Sequence, residues 1–124
     1  MNGAPVVYGY VRSMVDDSTY VAECKEQLAS WCAREGWVLD AVFVDSGGAL
    51  DDERIGFRGL LDALSLPQAA AVVVLNAVHL SPKADIAVRL VQGIRRTGCA
   101  LKLRDGELPE QARRLWLGEP ERKK

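Results

Sequence analysis

The chain has 124 residues, enough to bury the core of one domain, and its 48% hydrophobic and 27% charged residues are ordinary for a globular protein. A net charge of −1 gives no support to a surface built to grip DNA. No apolar run approaches the roughly 20 residues of a membrane span. The opening MNGAP lacks the basic start and apolar stretch of a signal peptide, so a cytoplasmic location is expected and no membrane association. Cys24, Cys32 and Cys99 have no short spacings and His79 is the single histidine, which argues against a disulfide framework or a zinc set. No cofactor and no metal are expected.

In chain order, Pro5 to Met14 (PVVYGYVRSM) reads as a first strand, rich in β-branched and aromatic residues. Neither alternation nor a helical period fits it, which suits a central strand buried on both faces. A loop from Met14 to Thr19 leads into a helix over Tyr20 to Glu35, whose face carries Val21, Cys24, Leu28, Trp31 and Cys32, with Gly36 placed for a left-handed cap. Cys24 is expected there as a small core hydrophobe. Trp37 to Val44 is a second strand, followed by the turn-rich Asp45-Ser46-Gly47-Gly48 and the acidic Asp51, Asp52 and Glu53. A shorter helix over Gly56 to Ser65 offers Phe57, Leu60, Leu61 and Leu64.

Beyond Pro67, Ala70 to Leu75 is a third strand and Asn76 to Pro82 a loop. Lys83 to Thr97 reads as a third helix, with Ser81 placed as its N-cap and Pro82 in its first turn. Gly98 closes it, and Cys99 to Leu103 is a fourth strand. Glu107 to Leu117 is an amphipathic helix with Leu108, Ala112, Leu115 and Trp116 on one side, before Gly118 and Pro120. Arg95-Arg96, Arg113-Arg114 and Arg122-Lys123-Lys124 suit solvated helix ends and a loose tail.

This βαβαβαβ alternation implies an α/β fold, a flavodoxin-like, largely parallel sheet of four or five strands in the order 2-1-3-4, with right-handed crossovers and helices on both faces. The domain spans 1–106, and 107–124 add a short helix and a basic tail. In such sheets ligands sit beyond the carboxyl ends of the strands. Arg12, Ser13 and Met14 stand at the first of these ends, Asp45 at the second, Asn76 to Pro82 at the third.

The strings YGYVR, AREGW, VFVD-SGG, ERIGFRGLLDAL and AAVVVLNAVHLS, in that order and on those elements, resemble the catalytic domain of serine recombinases, the resolvases and invertases. The resemblance covers about residues 6 to 106. It implies DNA cleavage by a serine hydroxyl through a phosphoserine link, with arginines stabilising the charge spread over the phosphoryl oxygens. Within its Tyr-x-Arg-x-Ser pattern Tyr10 and Arg12 match, but Met14 holds the serine position. Of its Arg-Leu-Asp-Arg-Leu-Ser-Arg pattern only Leu80 and Ser81 survive, with Val78 in place of the aspartate and His79 and Pro82 in place of arginines. Asp45 and Gly47 match the loop after the second strand, and Arg54 with Phe57 matches Arg-Pro-x-Phe, although Ile55 replaces the proline. The long helix and the DNA-binding domain that usually follow are not expected in the 18 residues beyond Gly106.

The resulting expectation is a catalytically degenerate domain, not an enzyme, with Arg12, Ser13, Asp45 and Arg54 as a remnant pocket. Such a domain works by binding a protein partner or a second copy, or by regulating DNA transactions. Leu108, Leu115 and Trp116 form its expected interaction surface, and DNA is the more weakly supported partner. One alternative is an active minimal recombinase or nuclease using Ser13 with Arg12 and Arg54. Successive strand side chains point to opposite faces, so Ser13 opposes Arg12 and reaches the site only through a bulge or an early strand end. Another is an anion-binding flavodoxin-like module, with Gly47-Gly48 cradling an anion and Asp16-Asp17 holding a metal, although no G-x-G-x-x-G fingerprint accompanies them. Arg12 and Arg54 are read equally as anion ligands or as partners of a carboxylate such as Asp45.

Overall fold

A computed structural model of the chain describes residues 3–47 and 54–117, and for 115–117 the backbone alone. The elements run β1 (Val6–Ser13), α1 (Ser18–Glu35), β2 (Val38–Ser46), α2 (Ile55–Leu64), β3 (Ala69–Val74), a 3-10 turn (Ala77–His79), α3 (Ala84–Arg96), β4 (Ala100–Leu103) and α4 (Glu110–Leu117). The four strands form one sheet in the order β2-β1-β3-β4, and every neighbouring pair is parallel. β1 is central and buried from Val7 to Ser13, which explains why its sequence shows no alternation.

Helices cover both faces. Cys24, Leu28, Trp31 and Cys32 of α1 pack on one face with Val7, Val11, Ala71 and Val73. Tyr8, Tyr10, Val72 and Val74 point to the other face, where Phe57, Leu60 and Leu64 of α2, Val91 and Ile94 of α3 and Ala112 of α4 cover them. Gly9 lets α1 approach closely, since a Cβ there would stand 3.0 Å from Leu28 Cδ1 and 3.2 Å from Val42 Cγ2.

Local chemistry moves several boundaries from their sequence-based positions. α1 starts at Ser18 because the Asp17 carboxylate accepts the Tyr20 amide at 3.0 Å, and it ends in a left-handed Gly36 at φ 79°. Ser81 does not cap α3. Its hydroxyl accepts the Lys83 amide at 3.0 Å inside the loop, Lys83 is the cap residue, and the helix begins at Ala84, so Pro82 precedes it. The segment 76–82 is partly ordered as a turn, because Asn76 Oδ1 accepts the Val78 amide at 3.0 Å. β2 runs on through Asp45 to Ser46, and α4 begins at Glu110. Gly48, Asp51, Asp52, Glu53 and the basic tail lie outside the described residues.

Candidate functional site

The parallel sheet brings the carboxyl ends of β1, β2 and β3 together at one edge. β1 stays buried to its last residue, so alternation delivers Arg12 to the side of Tyr10 and α2, and Ser13 to the side of Val11 and α1.

Asp45 is level with Arg12 in the β1–β2 register, yet it serves a different partner. Its carboxylate accepts Tyr10 Oη–H at 2.7 Å, the Gly56 amide at 2.7 Å and the Phe57 amide at 2.9 Å. It therefore caps α2 from another element, and the helix dipole favours an anion there. Arg54, the residue at the cap position, makes no side-chain capping bond. Gly56 permits this approach, since a Cβ there would stand 2.5 Å from the Val44 carbonyl oxygen and 3.0 Å from Asp45 Cγ. The Tyr10 phenol loses its proton less readily than usual, first because it is buried and then because Asp45 faces it, so it remains a donor. Arg54 is buried and links α2 to the loop after β3: Nη1 donates to the Leu80 carbonyl and lies 3.5 Å from Tyr10 Oη.

Arg12 is bound differently. Nη2–H donates to the Met14 thioether at 3.0 Å, and the buried Nε–H has no partner. A thioether is a weak acceptor. Among the described residues no carboxylate forms an ion pair with this guanidinium.

His79 supports the same corner from below. Its Nδ1 accepts the Arg12 amide at 3.1 Å, which places the ring proton on Nε2, 3.4 Å from Tyr20 Oη, and the Tyr20 ring stacks on it at 6.3 Å and 5°. Burial and then the Arg12 cation lower its pKa from the usual 6.5, so the ring is neutral at pH 7. The sequence presented His79 as a loop residue. Nothing in its spacing announces a partner 59 positions away on α1, and the contribution of Tyr20 was missed for that reason.

Ser13 is buried, and its hydroxyl donates to the Val15 carbonyl oxygen at 2.5 Å. Gly47 donates its amide to the Ser13 carbonyl at 3.2 Å, so that amide is already committed. Arg12, Ser13, Met14, Asp45, Arg54 and His79 thus share one edge. Val78 and Pro82 are exposed along it, and Asp17 is occupied by its cap. On the other flank, α4 packs on α3, and Leu108 is half-buried against the core. The side chains of Leu115 and Trp116 lie outside the described residues. All three cysteines are free and buried, and among the described residues no cluster of three metal-ligating groups occurs.

The family model for the resolvase N-terminal domain matches residues 7–117. The chain belongs to that family. The resolvase-type domain is also similar in fold to three solved structures. The C-terminal catalytic domain of ISC1926 TnpA, an IS607-like serine recombinase, superposes with a TM-score of 0.71 at 16% identity, covering 91% of this chain and 76% of that one. The N-terminal catalytic domain of TP901-1 integrase gives 0.67 at 20%, covering 80% and 76%. The first open reading frame of transposon ISC1904 from Sulfolobus solfataricus P2 gives 0.63 at 21%, covering 92% and 78%. No curated protein matches the chain. At these identities the structures establish the shared fold alone. The arrangement of the resolvase-type site rests on the residues described above.

Proposed function

We propose that this serine recombinase-like domain acts by binding and does not cut DNA. The observation that carries the reading is the thioether of Met14 lying on Arg12, at the position where the family pattern has its serine. A thioether has no proton to surrender and no oxygen to attack phosphorus, so no phosphoserine link can form there. The neighbouring hydroxyl supports the same reading. Ser13 lies on the face opposite Arg12, is buried, and already donates its proton to Val15. Val78, His79 and Pro82 further remove the charge that a phosphoryl transition state requires, because the sole titratable group among them is held neutral. The remaining role is recognition of a protein partner or a second copy, with DNA as a weaker candidate.

Incubation with supercoiled plasmid, followed by denaturing electrophoresis for protein-linked DNA, tests the proposal. The wild-type chain is expected to give no covalent adduct. An adduct that disappears in Ser13→Ala would establish the minimal-recombinase alternative and defeat the binding reading.

A further inference from the structure

Among the described residues seven large hydrophobic side chains are exposed, of which Val38 and Ile55 open β2 and α2 and Leu66 follows α2. Met14 is 56% exposed, Val15 63%, Tyr20 40% and Val78 58%, and all four belong to the edge built around Arg12. Contacts and chain order link them: Met14 touches the Arg12 guanidinium, Val15 follows Met14 and its carbonyl accepts the Ser13 hydroxyl, His79 accepts the Arg12 amide, Tyr20 stacks on His79, and Val78 precedes His79 in the same turn. Large apolar side chains gathered on a monomer surface mark interaction sites, whereas scattered ones need no explanation.

Beneath this rim Arg12 is only 8% exposed, its Nε–H is unpartnered, and its one bond goes to a thioether. Leaving a buried cationic donor unsatisfied costs more than any neutral hydrogen bond returns. The arrangement asks for an anion that arrives with apolar flanks. We propose that this edge is a docking surface for an apolar peptide segment of a partner protein, whose carboxylate displaces the Met14 thioether and pairs with Arg12.

Several features select this occupant. A guanidinium offers a planar fork that a carboxylate matches with two parallel bonds. A DNA backbone carries a charge on every nucleotide and would meet Met14, Val15, Tyr20 and Val78 where it needs further cations, with Asp16 exposed beside them. An acyl chain needs an enclosed channel, whereas these side chains stand out from the surface. Met14 is the movable cover, since its side chain is exposed and flexible. The inference rests on the binding reading above and names the chemistry of the partner.

The probe is N-acetyl-leucyl-leucine with a free carboxylate, compared with its C-terminal amide, titrated into the full chain under 15N-edited NMR. The acid is expected to shift the Arg12 Nε–H signal and the amides of Met14 and Val15, and to bind about tenfold or more tightly than the amide, as expected for a hydrogen bond to a charged group. Arg12→Gln is expected to erase the preference for acid over amide. Met14→Glu, a change at an exposed position, supplies a carboxylate in cis and is expected to abolish binding of the acid while the chain stays folded.

Equal affinity for acid and amide would overturn the proposal. So would tighter binding of thymidylyl-thymidine or of octanoate, which would point to nucleic acid or to lipid. A change of sedimentation in Arg12→Gln, with the peptide ignored, would make a second copy the occupant. A covalent adduct on plasmid DNA defeats the binding reading itself. A peptide that fails to bind, without any adduct, defeats this inference alone.

Discussion

Asp45 shows how one side chain can hold a site together. Its two oxygens accept a phenol and two backbone amides, so the end of β2, the middle of β1 and the start of α2 meet at one carboxylate. Asp45→Asn turns one acceptor into a donor facing a donor and removes the charge opposite the helix dipole. A loss of about 2 kcal/mol, roughly 8 °C in melting temperature, is expected by calorimetry. His79 makes a second residue-level prediction. Its folded pKa is lowered below the unfolded 6.5, so the unfolded chain takes up its proton first as the pH falls. The stabilisation is complete above about 6.5 and is lost as the pH falls through the folded pKa. The melting temperature should therefore fall between pH 7 and pH 5, and His79→Gln should remove that part of the slope. An unchanged slope in the variant would mean that other groups govern it. Of these residues the sequence disclosed Arg12, Ser13 and Met14, because strand alternation alone decides which of them share a face. The roles of Asp45 and His79 were hidden, since each depends on partners from elements distant in sequence.

At the level of elements, what was legible and what was not separates along the same line. The apolar periodicity of α1 and the unbroken hydrophobic runs of β1 and β3 are local signals, and the helices and strands stand where those signals place them. Helix starts were less legible. Ser81 carries the expected capping chemistry, yet its hydroxyl bonds two residues on and α3 begins beyond it. α2 begins without a capping side chain of its own, because its cap arrives from β2. The glycine in its first turn is the visible trace of that contact, and periodicity gives no reason to notice it. Gly56→Ala would set a methyl group 2.5 Å from a backbone oxygen that cannot move aside alone. A cost of about 1 to 3 kcal/mol is expected from urea unfolding, in the range of overpacked positions. Because α2 must then retreat from Asp45, a double change with Asp45→Asn should cost less than the sum of the two. Strict additivity would show that the glycine and the carboxylate act independently.

For the whole molecule, the question is whether this resolvase-family domain holds DNA. Affinity for duplex DNA comes chiefly from cations free to replace condensed counterions, so the placement of charge matters more than its total. Among the described arginines several are already matched. Arg104 pairs with Asp105 at 2.7 Å and Arg114 with Glu110 at 2.8 Å, and Arg113 pairs with Glu107. Arg54 lies inside, bonded to the Leu80 carbonyl, and Arg12 lies beneath Met14. Exposed pairs of this kind add little to stability, but each reduces the positive field that a phosphate backbone would meet. With a net charge of −1 behind them, fluorescence anisotropy on a mixed-sequence duplex should show no binding at about 0.15 M salt, an ionic strength with a Debye length of about 8 Å. Lowering the salt should reveal at most a shallow dependence. A steep slope, implying several phosphate contacts, would show that this fold tracks DNA, and would place the domain on the duplex instead of as a docking module for peptides.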